Sequence, residues 1–272
     1  MIRINKKFTE LKSQNKKAFV SFITAGDPDY TTSLEILKNL PKQGVDIIEL
    51  GIPFLDPAGD GPIIEIASKR AIAQGMNLKK VLEMVGEFRK SDIDTPIILM
   101  GYYNPILHYG LEKLAFDASK KGVDGLLIVD LPVEEDEELK KACADNNVAL
   151  IKLVTPTSDE ERIQKISASA SGFLYLVSIL GITGTKSADI TENKIYVERI
   201  RKVSNLPIII GFGIKEPNQA KEMIKTGADG VVVGSSLVNI IAEGIKNNQD
   251  QKKIIQDLLD KTSEFSKSIK NS

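Results

Sequence analysis

Two carboxylates stand out in residues 49–62, E-L-G-I-P-F-L-D-P-A-G-D-G-P. Glu49 ends an apolar run, Ile47-Ile48-Glu49-Leu50, that reads as a buried strand, and Asp60 follows eleven residues later between two glycines. Ordering a loop of this composition costs conformational freedom, which points to a function for it. If Ile47 and Glu49 share the inner face of a sheet, an acid stands on top of an apolar column, and burial raises its pKa into the range of a general acid–base. If Glu49 turns outward instead, it pairs with a lysine of the helix layer. Asp60 either reaches over the site or caps the helix that Pro62 opens. Asp56, between Leu55 and Pro57, reads as an exposed turn residue. Two carboxylates framing an apolar mouth suit acid–base work on a small substrate.

A second pattern concerns phosphate. Gly211-Phe212-Gly213 follows one late strand and Gly234-Ser235-Ser236 the next. Glycines let the backbone approach an anion, free N–H groups point at it and a serine hydroxyl adds a donor. Lys152 lies within a strand, where it either forms a Schiff base, as in class I aldolases, or points out to the helices. Cys143 reads as an inert helix residue and His108 as a loop histidine.

These are the only cysteine and the only histidine, so no internal disulfide, cysteine metal cluster or histidine-based triad of motif quality is available, and no metal is expected. Lys and Arg number 36 against 37 Asp and Glu, and no basic run is interleaved with aromatics. Nucleic acid and anionic membrane surfaces are therefore not expected partners. The start, M-I-R-I-N-K-K-F, has no apolar stretch behind it, and no run approaches the roughly 18 apolar residues of a membrane span. A cytoplasmic location is expected.

Eight short apolar runs supply the elements that must hold these residues: 18–25, 46–51, 96–102, 125–129, 149–154, 172–177, 207–211 and 230–233. Helical patterns follow them, at 31–40, 62–74 and 78–89, 111–121, from 132, from 158, 192–203, from 217, and a last one carrying Ile254 to Phe265. An amphipathic helix over 2–14 precedes them all. Strand–helix alternation implies a parallel sheet. Eight such units in 272 residues predict a (β/α)₈ TIM barrel with an extra N-terminal helix and extra helices in the βα loops, as one domain over 1–272. A doubly wound open sheet is the structural alternative. The long pieces after the second and sixth strands then lie at the C-terminal face, where barrel active sites sit, and the two glycine motifs follow strands seven and eight, the usual barrel phosphate position.

With these motifs in order, E-L-G-I-P-F-x-D-P-x-x-D-G-P, S-F-I-T-A-G-D-P-D, M-G-Y-Y-N-P-I, D-L-P, G-I-T-G, G-F-G-I and V-V-V-G-S-S, the chain resembles the tryptophan synthase alpha chain family over nearly its whole length. The resemblance implies retro-aldol cleavage of indole-3-glycerol phosphate to indole and glyceraldehyde 3-phosphate. It implies Glu49 as the acid–base and Asp60 as the acid that pairs with the indole N–H. It implies that Thr183 is a lid residue meeting Asp60, that Gly184, Gly213, Gly234 and Ser235 contact phosphate, and that Phe22, Tyr175 and Phe212 wall the indole site. It also implies an α₂β₂ assembly, with Asp56, Pro57, Asn104 and Pro132 in stretches that face the β chain. Pyridoxal phosphate belongs to that chain, and no cofactor is expected here. Four residues depart from the usual pattern: Leu55, Gly59, Glu65 and Ile179. Gly59 is expected to loosen the loop by about 0.5–1 kcal/mol of backbone entropy. Another phosphate-binding barrel aldolase, a free-standing indole-releasing lyase, or a non-catalytic barrel that activates the β chain are the alternative readings.

Overall fold

The apolar runs alternate in facing, and that alternation builds the architecture. In the computed structural model, which describes residues 2–178, 190–211 and 213–271, eight strands pair in parallel, each with its sequence neighbours, and β1 closes on β8. They are β1 (Ala18–Thr24), β2 (Ile47–Gly51), β3 (Ile97–Gly101), β4 (Gly125–Ile128), β5 (Ala149–Val154), β6 (Leu174–Val177), β7 (Ile208–Gly211) and β8 (Gly230–Val233). Val20, Ile47, Ile98, Leu127, Ile151, Ile209 and Val232 fill the barrel, while Phe19, Ile48, Leu99, Leu126, Leu150 and Ile210 between them face the helices. A strand places successive side chains on opposite faces, so one buried on both sides reads as an unbroken apolar run.

The helices are α1 (Ile2–Ser13), α2 (Tyr30–Asn39), α3 (Pro62–Ala73), α4 (Leu78–Arg89), α5 (Tyr103–Tyr109), α6 (Leu111–Lys121), α7 (Glu137–Asp145), α8 (Glu160–Ser169), α9 (Ile190–Val203), α10 (Pro217–Ile224), α11 (Ser235–Lys246) and α12 (Gln251–Lys270). Asp29, Asn77, Asp159 and Asp250 start α2, α4, α8 and α12 by accepting a first-turn N–H on their side chains. Each inward stripe is apolar: α4 buries Val81, Val85 and Phe88, and a fully buried side chain of this size contributes about 1.5–3 kcal/mol.

Helix α1 closes the N-terminal end of the barrel. Ile4 is fully buried, Phe8 meets Phe173 edge-on at 5.9 Å, and Arg3 reaches Asp124 at 2.8 Å. Asp124 also receives Arg89 and the Ile97 N–H, each at 2.8 Å, so one buried carboxylate joins α1, α4, β3 and β4.

The expected barrel is present, and the open sheet is not what forms. Four local readings change. His108 lies exposed in α5 and not in a loop, since Asp130 accepts the Tyr103 N–H at 2.7 Å and Pro105 is tolerated in a first turn. Residues 133–135 form a short 3₁₀ turn before α7, with Asp136 turned inward. Ser235 opens a full helix ahead of the last one, burying Leu237, Val238 and Ile241. Finally, Gly61 and not Asp60 occupies the cap position of α3.

Candidate active site

Glu49 sits in the middle of β2, beside Phe22 of β1 and Ile98 of β3, both of which face into the barrel. The inward arrangement is therefore the one adopted. Glu49 is buried, and neither of its carboxylate oxygens has a hydrogen-bond partner among the described residues. An unpaired buried carboxylate is costly, so the neutral form is favoured. Burial, then the charge of Asp60, pushes the Glu49 pKa up to about 8. At neutral pH this residue carries a proton.

Asp60 reaches the same space from the loop between β2 and α3. Its N–H donates to Pro57 O at 3.1 Å, which turns the chain back over the barrel. Burial pushes its pKa up to about 6, the Tyr102 hydrogen bond pulls it down and Glu65 raises it. Asp60 is thus mostly ionised at neutral pH, and the two acids hold opposite protonation states by environment alone. Tyr175, buried opposite, is held well above its ordinary pKa by burial and then by Glu49 and Asp60, and stays a neutral phenol.

Absent side chains shape the walls. A Cβ on Gly211 would fall 1.9 Å from the Tyr175 hydroxyl, one on Gly51 2.7 Å from the Phe22 ring, and one on Gly234 3.1 Å from Phe22 Cβ. Glycine at the ends of β2, β7 and β8 is what lets Phe22 and Tyr175 lie flat against the barrel mouth. Gly213 has φ +77°, a left-handed conformation suited to glycine, in the turn after β7. Ser236 Oγ donates to Lys215 O at 3.0 Å, drawing that turn to the start of α11. Ser235 is the first residue of α11, and the first N–H groups of a helix point outward without helical acceptors. Gly213 thus lies in the turn after β7, and Gly234 and Ser235 at the start of α11. Thr183, Gly184, Phe212 and Ile179 lie outside the described residues.

Asp56 and Pro132 are exposed and Pro57 is half-exposed, on the loops after β2 and β4, and Asn104 is exposed in the first turn of α5. Leu55 is 60% exposed on the first of these loops, and Glu65 pairs with Lys69 at 2.5 Å on α3. The expectation for Gly59 changes. Its N–H donates to the Tyr102 hydroxyl at 3.0 Å, and a Cβ there would come 2.9 Å from Val129 Cγ1, so the position is tied down and fits glycine. Tyr102, which lies in the M-G-Y-Y-N-P-I motif but was given no role there, stacks on Phe54 at 5.5 Å between ring centroids. An aromatic residue at the C-terminal end of a barrel strand was the available signal.

Lys152 faces the helix layer, where its Nζ lies 2.5 Å from Asp136 Oδ2, and Cys143 is buried in α7 with its thiol pushed up to about 12 by burial. Among the described residues no group of three or more His, Cys, Asp and Glu side chains could hold a metal ion, and no helix is long and apolar enough to cross a membrane.

A closed (β/α)₈ barrel with a protonated and an ionised carboxylate at its C-terminal mouth belongs to the barrel enzymes that work by acid–base chemistry. The family model for the tryptophan synthase alpha chain matches residues 8–270. The tryptophan synthase alpha chain of Caulobacter vibrioides (strain NA1000 / CB15N) is 46% identical over 269 residues, 99% of this chain and 96% of that one. The crystal structure of tryptophan synthase subunit alpha from Legionella pneumophila str. Paris has TM-score 0.91 at 37% identity, covering 99% of both chains. Tryptophan synthase from M. tuberculosis in its aminoacrylate-bound form has TM-score 0.86 at 29% identity, covering 98% of this chain and 99% of that one. The chain belongs to the tryptophan synthase alpha chain family, lyases of tryptophan biosynthesis that cleave indole-3-glycerol phosphate. The alpha chain binds no cofactor of its own and assembles as α₂β₂ with a β chain that carries pyridoxal phosphate.

Proposed function

We propose that Glu49 and Asp60 divide the chemistry of this lyase between them. The protonated Glu49 gives its proton to indole C3, making an indolenine whose ring nitrogen bears positive charge. The resulting carboxylate takes the proton of the glycerol C3′ hydroxyl, the C3–C3′ bond breaks, and its electron pair returns to the ring. Glyceraldehyde 3-phosphate and indole leave, and Glu49 is protonated again. Asp60, ionised, pairs with the ring N–H while the positive charge exists. The single observation carrying this reading is the buried, unpartnered carboxyl of Glu49 beside a second acid that stays charged.

Phe22, Tyr175 and Phe212 serve as walls for the indole ring. Gly184, Gly213, Gly234 and Ser235 serve the phosphate, and Thr183 meets Asp60 when the site closes, which strengthens both carboxylate interactions by excluding water. Asp56, Pro57, Asn104 and Pro132 face the β chain. The chain works as one barrel domain over 1–272, in the cytoplasm.

Indole release from indole-3-glycerol phosphate, measured with and without a β chain, tests the reading. The native chain releases indole and is stimulated by the partner, and Glu49→Gln releases essentially none under either condition. Native-level indole release by Glu49→Gln would refute the assignment.

A further inference from the structure

The N-terminal end of the barrel, opposite the mouth, carries a cleft of about 350 Å³ between α1, the end of α9 and the residues that lead into β1, β7 and β8. Small-molecule sites begin at about this size, and they join an apolar floor to a few placed polar groups. The floor here is the buried Leu11 with the half-buried Phe8 and Pro207. The rim is basic: Lys12 from the last turn of α1, Lys16 from the turn after it, and Lys17 just before β1. Among the described residues none of these three lysines pairs with a carboxylate. Lys16 Nζ donates to Gln14 Oε1 at 3.0 Å and Lys17 Nζ to Ala228 O at 2.7 Å, both neutral acceptors. Lysines earlier on the same helix differ, Lys6 meeting Asp94 and Lys7 meeting Glu10. The carboxylate within the cleft, Asp229, is already committed, since it pairs with Arg201 and accepts the Ile208 N–H at 2.8 Å.

Helix ends account for part of this charge. Helices α1 and α9 both finish at the cleft, and a helix C-terminus carries about half a negative charge, so the two together supply about one. The last carbonyls of α1 are moreover taken, the Lys16 N–H donating to Leu11 O at 2.8 Å and the Asn15 N–H to Lys12 O at 3.1 Å. Against three lysines without a carboxylate, about two positive charges are left over. We propose that this cleft binds a small organic dianion, a phosphate monoester on a flat apolar body, with the body on Phe8, Leu11 and Pro207 and the phosphate facing Lys12, Lys16 and Lys17. Exposed charge pairs are individually weak and screened by salt. Affinity therefore comes from three cations meeting one doubly charged group over an apolar floor, and neither half suffices alone. The cleft lies at the opposite end of the barrel from the loops assigned to the β chain, so that assembly leaves it open.

The test titrates the full, isotope-labelled chain with phenyl phosphate, inorganic phosphate and phenol, reading the backbone amide resonances residue by residue. Phenyl phosphate is expected to shift the amides of Lys12, Asn15, Lys16 and Asn205 along one saturating curve, with a dissociation constant of about 0.1–1 mM. Inorganic phosphate lacks the ring and phenol lacks the charge, and each binds these amides about 10-fold more weakly or worse. The Lys12 and Lys16 side chains are exposed, so Lys12→Ala/Lys16→Ala folds and releases indole as the native chain does. Its phenyl phosphate curve weakens about 10-fold, and added salt weakens the native curve in the same direction. Shifts confined to the mouth, at Gly213, Gly234 and Ser235, would overturn the proposal. So would a double variant that binds phenyl phosphate as tightly as the native chain. Equal affinity for inorganic phosphate or for phenol at the cleft amides would overturn the organic dianion as the occupant.

Discussion

Lys152 Nζ lies 2.5 Å from Asp136 Oδ2 on the outer side of β5, with Ser169 Oγ donating to the same oxygen at 2.6 Å. The lysine considered above for a Schiff base is thus on the far side of the barrel wall from Glu49, serving as half of a buried ion pair. Borohydride added with substrate is expected to leave no adduct on Lys152 and no loss of activity, read by mass spectrometry and indole release. Lys152→Met alone strands Asp136 and is expected to cost about 3–5 kcal/mol in urea unfolding, most of it recovered in Lys152→Met/Asp136→Leu. A reduced adduct at Lys152 would contradict the carboxylate mechanism.

Glu49 ties activity to instability. Its folded-state pKa is about 8 against 4.5 for the free side chain. Between those values the folded chain keeps a proton that the unfolded chain has released, so stability falls as pH rises through the window. At 1.36 kcal/mol per unit the full cost is roughly 5 kcal/mol above the upper end. Glu49→Gln removes the slope. The variant is expected to exceed the native chain in urea-unfolding free energy by a margin that widens from about pH 5 to about pH 8, while indole release falls by about 10²–10⁴-fold. Parallel stability curves for the two chains would contradict the buried, neutral acid.

Gly59 and Val129 are fitted to each other. A Cβ at 59 would stand 2.9 Å from Val129 Cγ1 and 3.4 Å from the Tyr102 hydroxyl. Gly59→Ala alone is expected to lift the loop and slow indole release several-fold, despite removing backbone freedom from the unfolded chain. With Val129→Ala added, the space is restored and the entropic gain of about 0.4–1 kcal/mol shows as a raised unfolding midpoint. If Gly59→Ala alone is as fast as the native chain, the contact with Val129 does not constrain the loop.

At the opposite end of the barrel, Asp124 gathers Arg3, Arg89 and the Ile97 N–H. Asp124→Ala leaves the largely buried Arg89 without its carboxylate partner, with only the Gly122, Asp92 and Thr95 carbonyls as acceptors. It is expected to cost about 3–5 kcal/mol in unfolding free energy while kcat and KM of the remaining folded enzyme stay native. A changed kcat at full folding would mean that the two ends of the barrel communicate.

The barrel was legible because both faces of its strands are buried, so eight apolar runs survive as an unmixed signal. Glu49 was legible as a polar interruption of one such run. Its inward facing was not, since Ile47-Ile48-Glu49-Leu50 offers apolar neighbours on both faces, and only the pairing with Phe22 and Ile98 decides between them. The α5 and α11 helices were hidden by residues with a second meaning. Asn104-Pro105 resembles a turn, and Gly234-Ser235-Ser236 resembles an anion loop while also opening a helix. Tyr102 stood in the M-G-Y-Y-N-P-I motif without a role, because its contacts with Gly59 and Phe54 lie across space and the spacing of its own strand does not reveal them. The stabilising role of Lys152 was masked in the same way by Asp136, sixteen residues earlier in the chain.

The seal that α1 makes beneath the barrel also sets an order of events. Arg3 finds Asp124 across 121 residues, and the ring that meets Phe8 belongs to Phe173, at the edge of the sixth strand. During synthesis from the N-terminus, the first helix therefore waits with an apolar face uncovered until most of the barrel has emerged. A segment made before any barrel strand is among the last to be placed, and a chain interrupted before the sixth strand would present Ile4 and Phe8 to whatever binds exposed apolar surface.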